Sequence, residues 1–305
     1  MRILVSGSTG FVGTALAQSL QTEGHEIVRL LRPASPHKIA GATAAQSIAW
    51  DPVANKFDAT AAEGADALVH LAGASIAEGR WNAARKQLLR TSRVDATRQL
   101  FGALAKLKKP PHVVVAASAI GYYGNRGDET LTETSAAGND FLSAVCREWE
   151  AETARGAEFG ARVVQLRSGI ILGAHGGALP KILLPFKLGA GGRLGDGRQW
   201  MSWITLRETV RVIQFALTSA ALSGPVNSVA PNPVRNSEFT GILSKTLHRP
   251  ALFPAPAFAL RLALGEMADA LLLGSQRVLP SKLAEAGYRF EQPDLAGALA
   301  EVLRN

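Results

Sequence analysis

A short stretch near the start of the chain decides the fold, and it reads Arg2-Ile3-Leu4-Val5-Ser6-Gly7-Ser8-Thr9-Gly10-Phe11-Val12-Gly13. Its apolar first half is typical of a buried β-strand, and the amphipathic pattern that follows indicates a helix. The glycines permit a tight turn and a close approach of the backbone to a diphosphate, which the free N–H groups of a helix N-terminus bind. Between a first strand and a first helix, this motif predicts a dinucleotide site. A packing turn without a ligand is the alternative.

The first 170 residues continue this alternation of apolar runs and helical patterns. Strands are predicted at residues 2–7, 26–31, 47–50, 67–72, 112–118 and 162–169. Helices are predicted at residues 10–23, 81–107 and 139–155. The alternation predicts an α/β fold, a Rossmann-type doubly wound parallel sheet whose ligands lie beyond the carboxyl ends of its strands.

After residue 173 the sequence becomes rich in glycine loops and prolines, with helical patterns at residues 236–247, 257–273 and 294–303. We predict a dinucleotide-binding Rossmann domain at residues 1–173, to which residues 202–230 return. Residues 174–201 and 231–305 then form a smaller, mainly helical C-terminal lobe that binds the substrate.

Composition limits the class of protein further. The 305 residues are 47% hydrophobic and 19% charged, which is typical of globular domains. Cys146 is the single cysteine, so no intramolecular disulfide forms, and a reducing, cytoplasmic location is expected. The apolar stretch at residues 255–274 contains Arg261, Glu266 and Asp269, which argues against a membrane span.

The net charge is +8, and its densest part lies at residues 80–109. There, Asp95 is the one acid among nine basic side chains. No nucleic-acid-reading motif or aromatic stripe accompanies this charge, so nucleic acid is not predicted as a partner. An anionic small ligand near part of this helical region is the better explanation. The expected partner is a small-molecule substrate, and a homodimer is considered as the assembly.

The second strand indicates which dinucleotide is bound. NAD-binding proteins place an acid near its end, whereas the 2′-phosphate of NADP requires a cation. The run from Ile27 to Pro33 has no acid, and none follows until Asp51. Arg29 and Arg32 lie on opposite faces of the strand, and Arg32, just past its end, is the better candidate. NADP is therefore predicted, with a solvated Arg32 as the alternative.

The fourth strand ends His70-Leu71-Ala72-Gly73, where small residues let the backbone pass close to a cofactor ribose. A histidine within an apolar strand is more often a hydrogen-bonded core residue than a catalyst. The six histidines of the chain have no ligand-like spacing, so no metal site is predicted.

These residues, with Ser118 four positions before Tyr122, resemble the extended short-chain dehydrogenase/reductase superfamily. The chain is most similar to its atypical "epimerase family" proteins, nucleoside-diphosphate-sugar epimerases without an assigned substrate that carry a C-terminal domain of unknown function. The segments that carry this closer resemblance are Arg80-Trp81, 92–94, 121–124, 146–150, 167–169, 195–200, 227–233 and 287–290.

The resemblance implies roles for particular residues. The pyrophosphate is expected on the glycine loop and the 2′-phosphate on Arg32. The ribose region is expected beside the end of the fourth strand, and the nicotinamide half near Arg93 and Ile171. The full set of expected cofactor residues is Gly7, Thr9, Gly10, Phe11, Val12, Gly13, Arg32, Leu71, Ala72, Gly73, Arg93 and Ile171.

The chain departs from the superfamily in its catalytic pair, Tyr-x-x-x-Lys. No lysine stands four residues after Tyr122, Tyr123 or Tyr288. On the helix that should carry the pair, neither role has a suitable side chain. The tyrosine is replaced by Phe141 or Leu142, and the lysine by Val145 or Cys146. An asparagine common in the superfamily appears as Arg93, and an arginine that epimerases direct at a sugar diphosphate appears as Met201.

Two residues could still perform chemistry. Ser118 could hydrogen-bond a substrate carbonyl, and Tyr122 or its neighbour Tyr123 could supply a phenol, with packing beside the cofactor as the alternative. Cys146 and Trp149 are predicted to pack, and Glu150 to be an exposed or capping acid. The predicted function is an NADP(H)-binding oxidoreductase or epimerase-like enzyme acting on a small carbonyl or alcohol. The alternative is a non-catalytic NADP-binding sensor or scaffold, which the missing pair favours.

Overall fold

The computed structural model describes residues 1–33 and 47–304; residues 34–46, inside the predicted Rossmann domain, and residue 305 lie outside the described part. The strands are β1 (Arg2–Ser6), β2 (Glu26–Leu31), β3 (Ser47–Asp51), β4 (Lys56–Phe57), β5 (Ala67–His70), β6 (Val113–Ala119), β7 (Thr130–Leu131), β8 (Arg162–Ser168), β9 (Ile170–Gly173), β10 (Gly176–Gly177), β11 (Trp200–Met201), β12 (Trp203–Thr205), β13 (Gly224–Ser228), β14 (Val234–Arg235) and β15 (Arg277–Val278). The helices are α1 (Phe11–Thr22), α2 (Ala83–Thr91), α3 (Val94–Leu104), α4 (Phe141–Ala154), α5 (Leu179–Lys187), α6 (Leu206–Thr218), α7 (Asn236–Leu247), α8 (Ala257–Leu264), α9 (Glu266–Ala268), α10 (Ser281–Glu285) and α11 (Leu295–Val302).

The main sheet has the strand order β13-β8-β6-β5-β1-β2-β3-β4, and all its pairs are parallel except β3 with β4. The chain order reverses at β1, which lies between β2 and β5. Apolar residues of α1 and α6 cover one face of the sheet, and those of α3 cover the other. The predicted Rossmann-type doubly wound fold is confirmed. In folds of this kind ligands bind beyond the carboxyl ends of the strands where the strand order reverses, which here is the carboxyl end of β1.

The prediction of a single helix over residues 81–107 is wrong, because the chain forms two helices, α2 and α3, that are separated at Ser92 and Arg93. The Ser92 hydroxyl accepts a hydrogen bond from the Ala74 amide (3.1 Å), and the backbone of Arg93 is distorted from regular helix, with φ −109° and ψ −62°. The side chain of Asn82 caps the start of α2. Local hydrogen bonds to the loop after β5 therefore interrupt a continuous helical pattern.

The later part of the chain contributes to two cores. Trp203, Phe186 and Phe239 pack together in a core of their own, whereas Leu283 on α10 packs with the main sheet. The strand β13 pairs with β8 at the edge of that sheet. Within the described ranges, no helix is both long and apolar enough to cross a bilayer.

Candidate functional site

The glycine loop after β1 is held in backbone contact with the end of β5. Gly7 has φ +68°, and a Cβ there would lie 2.8 Å from the carbonyl carbon of Leu71. A Cβ at Gly13 would lie 2.1 Å from the Gly7 carbonyl oxygen, so only glycine lets α1 approach β1 this closely. Gly10 begins α1 without a side-chain cap. The first-turn N–H groups of α1 are therefore arranged to receive an anion such as a diphosphate.

Phe11 lies between this loop and the β9–β10 hairpin. A Cβ at Gly176 would come within 2.3 Å of the Phe11 ring, and one at Gly177 would be 2.8 Å from the ring and 2.7 Å from the Ile171 carbonyl. The structure thus brings Phe11 and Ile171, which are far apart in sequence, to the same wall of the crevice. Val12 packs into the main core, while Thr9 is exposed on the loop.

The two arginines of β2 differ in their surroundings. Arg32 is exposed just past the strand and has no hydrogen-bond or ion-pair partner among the residues that the structure describes. Arg29 is only 7% exposed and donates from Nη1 to the Ser8 carbonyl (3.3 Å). Burial lowers the pKa of the Arg29 guanidinium. Among the described residues the Arg32 guanidinium is therefore unpaired, whereas Arg29 holds the Ser8 carbonyl of the glycine loop.

A buried chain of hydrogen bonds fixes the end of β5. The Ser6 hydroxyl accepts from the amides of Leu71 and Ala72 (3.2 and 3.3 Å), so its proton goes to His70 Nδ1 (2.7 Å). His70 must then carry its proton on Nε2 and donate to Thr97 (2.9 Å). Burial lowers the pKa of His70 to about 4, which keeps the ring neutral. His70 is a core histidine that orders the backbone beside the crevice.

The backbone of Gly73 lies in close contact with the side chain of Arg93. A Cβ at Gly73 would lie 3.3 Å from the Arg93 guanidinium carbon, so the absent side chain makes room for this cation. Arg93 donates to the carbonyl oxygens of Leu89 and Ala74 (3.2 and 3.0 Å). A partly buried positive charge therefore lies at the carboxyl edge, next to the strand end that touches the glycine loop.

Ser118, at the end of β6, joins a buried ion pair. Its hydroxyl donates to Glu150 (2.6 Å), which also accepts two hydrogen bonds from Arg167, each 2.8 Å long. The prediction that Glu150 is an exposed or capping acid is wrong, because only 8% of the residue is exposed. Arg167 lies near the carboxyl end of β8, the second strand from one edge of the sheet, and is 2% exposed. A buried guanidinium requires a carboxylate partner. Burial opposes ionisation, but the bonds and charge of Glu150 raise the pKa of Arg167 above its ordinary value.

Tyr122 and Tyr123 differ in what their hydroxyl groups do. The Tyr123 hydroxyl is buried and donates to Asn227 (2.6 Å), and burial raises the pKa of this phenol. The ring of Tyr122 lies under Arg167 with 3.4 Å between ring centre and guanidinium carbon. The Tyr122 hydroxyl has no hydrogen-bond partner within the described residues. The structure thus brings Ser118 and Tyr122 to the same ion pair, and of the two hydroxyls that of Tyr122 has no partner in residues 1–33 and 47–304.

The helix α4, which should carry the catalytic tyrosine and lysine, has no side chain at those positions that can exchange a proton. Leu142 belongs to an apolar cluster with Trp81, Phe141 and Met267, which joins the main domain to the region after α8. Cys146 is buried, and burial raises the pKa of its thiol to about 12. Neither side chain can exchange a proton at neutral pH. In residues 1–33 and 47–304, no three His, Cys, Asp or Glu side chains are placed to hold a metal ion.

Comparison with known proteins agrees with this geometry. The model of the NAD dependent epimerase/dehydratase family matches residues 3–229, and a domain of unknown function, DUF1731, matches residues 255–302. The chain belongs to the NAD dependent epimerase/dehydratase family. The predicted family and its C-terminal domain of unknown function are confirmed.

Members of this family resemble the chain over nearly its whole length. An epimerase family protein of Mycobacterium bovis is 40% identical, covering 97% of this chain and 96% of its own. The epimerase family protein YfhF of Bacillus subtilis is 38% identical, covering 99% and 98%. The crystal structure of human epimerase family protein SDR39U1 (isoform 2) with NADPH superimposes with a TM-score of 0.90, at 34% identity and full coverage of both chains.

Sequence reasoning missed two parts of this family member's site. One is the Glu150–Arg167 pair, for which an arginine within the apolar strand 162–169 was an available signal. The other is the contact of Arg93 with Gly73, which depends on the turn between α2 and α3 and had no signal in a pattern interpreted as one helix.

Proposed function

We propose that this family member is an NADP(H)-dependent oxidoreductase or epimerase-like enzyme that acts on a small carbonyl or alcohol. The observation that carries the proposal is the glycine loop in backbone contact with the end of β5, at the switch point of the sheet. The NADPH-bound structure of the human relative supports the coenzyme. The substrate, a homodimeric assembly and the division into domains remain predictions.

The residues at the carboxyl edge fit the coenzyme. The loop residues Gly7 to Gly13 would receive the diphosphate, and the exposed guanidinium of Arg32 would bind the 2′-phosphate. Leu71, Ala72 and Gly73 would lie along the ribose, and Arg93 and Ile171 nearer the nicotinamide. NADP, when bound, supplies hydride exchange. The chain's own residues position the reactants and exclude water, because an apolar cluster including Leu142 adjoins this region.

Proton exchange is the step for which the protein must supply a group. Tyr122 is the better of the two proposed catalytic residues, because its hydroxyl has no partner in the part of the chain that the structure describes, whereas Ser118 donates to Glu150. Arg167 lies against the Tyr122 ring and holds it beside the ion pair with Glu150. Ser118 can donate to a substrate carbonyl only if its hydroxyl proton leaves Glu150 and turns to the substrate.

The coenzyme assignment is tested by titrating the protein with NADPH and NADH and following fluorescence. We expect clear preference for NADPH. Arg32→Glu should weaken NADPH binding by about 1–3 kcal/mol, the value of a charged hydrogen bond, with little effect on NADH. Equal affinity for the two coenzymes in the wild type would contradict the assignment to Arg32.

A second candidate function is an NADP-binding sensor or scaffold without turnover. It is favoured because Leu142 and the buried thiol of Cys146 stand where the superfamily has its catalytic tyrosine and lysine. Oxidation of NADPH in the presence of aldehydes, ketones and sugar nucleotides separates the two functions. The enzyme proposal expects turnover that Tyr122→Phe abolishes. If Tyr122→Phe and Ser118→Ala turned over substrate at the same rate as the wild type, the assignment of these two residues as catalytic would be refuted. Binding of NADPH without turnover of any carbonyl class would support the sensor.

A further inference from the structure

The helix α8 is apolar but lies on the surface. Its sequence is AFALRLAL, and none of its residues is buried. Phe258 and Leu262, which are one turn apart on the same side of the helix, are 73% and 77% exposed. A surface helix of a globular protein normally turns such residues toward the core. The outward side of α8 is therefore an apolar surface without a partner in the described part of the chain.

Two neighbouring segments extend this surface. Leu252 and Phe253, shortly before α8, are 73% and 62% exposed. Leu184 and Leu188, one turn apart at the end of α5, are 59% and 74% exposed. The Phe253 amide donates to the carbonyl of Gly191 (3.0 Å), so the end of α5 lies beside the segment that leads into α8. We refer to these six side chains as the apolar patch: Leu184, Leu188, Leu252, Phe253, Phe258 and Leu262.

The charged side chains of the segments that form the apolar patch are all basic. Residues 178–195 and 239–265, which include α5 and α8, contain six lysines and arginines and no aspartate or glutamate. Lys187, Arg193 and Arg249 are exposed and have no acid partner among residues 1–33 and 47–304. Arg261 pairs with Asp269, which lies just outside these segments. A net positive charge therefore accompanies the apolar patch.

The combination of apolar and basic side chains indicates what covers the patch. Phenylalanine and leucine together with lysine and arginine are typical of surfaces that lie on anionic bilayers. A second copy of the chain fits less well, because a symmetric contact would place the same basic residues against each other. An acidic protein would match the charge. However, four of the six apolar side chains are leucines, which seldom carry the binding energy of protein interfaces.

We propose that the apolar patch docks this protein on an anionic lipid surface. The contact is peripheral, because α8 has eight residues whereas a helix needs about 20 to span a bilayer. Phe258 and Leu262 enter the boundary between headgroups and acyl chains, and the basic side chains remain among the lipid phosphates. The proposal goes beyond the proposed function, since none of these residues belongs to the expected coenzyme or catalytic set.

Flotation of the full chain with large unilamellar vesicles tests the proposal. The vesicles consist of phosphatidylcholine alone or of an equimolar mixture with phosphatidylglycerol. We expect the wild type to float with the anionic vesicles, to float far less with the neutral ones, and to be released by high salt. Phe258→Ser together with Leu262→Ser should lower the partition coefficient at least about tenfold, because two large apolar side chains are lost from the contact.

Val53 and Lys108 provide matched controls outside the apolar patch. Val53, in the turn between β3 and β4, is 90% exposed, so Val53→Ser removes an exposed apolar side chain and should leave flotation unchanged. Lys187→Glu should weaken binding to anionic vesicles severalfold. Lys108→Glu makes the same change of charge at an exposed site after α3 and should have a much smaller effect.

A wild type that does not float with anionic vesicles would overturn the proposal, as would equal flotation with neutral vesicles or an equal loss in Val53→Ser. Sedimentation velocity then identifies the occupant. A wild-type dimer that the double variant converts to a monomer would assign the patch to a second copy, and a monomeric wild type to an acidic protein. If the double variant does not fold by circular dichroism, the comparison of Lys187→Glu with Lys108→Glu decides, and equal flotation of these two would refute the docking.

Discussion

The ion pair of Glu150 and Arg167 ties several otherwise separate residues together. Glu150 on α4 accepts from Ser118 and twice from Arg167, and Arg167 also donates to the Tyr123 hydroxyl (3.1 Å). Each charge is removed from water, so each depends on the other for its stability. The pair therefore joins β6, β8 and α4 at the carboxyl edge of the sheet.

Removing one partner of this pair should be costly. We expect Glu150→Gln to lower the free energy of unfolding by about 3–5 kcal/mol, because the Arg167 charge is left buried. Urea unfolding followed by circular dichroism measures the change. Glu152→Gln on the same helix is the matched control. Its partners Arg98 and Arg155 have side chains that are 49% and 42% exposed, so the loss should stay below about 1 kcal/mol. Equal losses in both variants would refute the argument.

His70 gives a pH dependence whose sign follows from its lowered pKa. In the folded state the buried imidazole of His70 stays neutral, whereas in the unfolded chain it takes up a proton near pH 6.5. The contribution of His70 to stability is therefore complete above pH 6.5 and is lost as the pH falls toward 4. The expected loss is about 3 kcal/mol. Imidazole NMR should show one ring fixed as the Nε2–H form from pH 8 to 5; titration of every histidine near pH 6.5 would contradict this.

At the level of elements, the contact between α1 and β1 depends on glycine. Gly13→Ala should destabilise the fold severely, since the new Cβ would lie 2.1 Å from the Gly7 carbonyl oxygen. A Cβ at Gly102, within α3, would meet no neighbouring atom of the described residues within 4 Å, so Gly102→Ala should instead stabilise by about 0.5–1 kcal/mol. Thermal unfolding midpoints measure both changes. A Gly13→Ala variant as stable as the wild type would contradict the packing described.

The strands were easier to predict than the helices. Apolar runs gave β1, β2, β3, β5, β6 and β8 to within a few residues, because a buried parallel strand leaves an unbroken apolar signal. The boundary between α2 and α3 was missed, since Ser92 and Arg93 are compatible with a helix. The helical pattern is interrupted at these two residues by their tertiary hydrogen bonds to Ala74.

At the scale of the whole molecule, the crevice is assembled from distant parts of the chain. The glycine loop and Arg32 could be singled out from the sequence as candidate coenzyme residues because each motif is local in sequence, and their role stays a prediction. The arginine within the apolar strand 162–169 was a signal for a buried ion pair, but its partner Glu150 could not be named from the sequence. That partner, and the contact of Arg93 with Gly73, depend on which strands and helices become neighbours. The site thus combines a local anion-binding motif with charges that only the fold brings together.

A crystal structure of this protein grown with NADPH would test the central claim most directly. The account predicts diphosphate density at the first-turn N–H groups of α1, with the 2′-phosphate within hydrogen-bonding distance of Arg32. It also predicts the nicotinamide on the side of the crevice that holds Arg93 and Ile171. Saturating coenzyme that leaves the glycine loop without density, or that binds elsewhere on the chain, would contradict it.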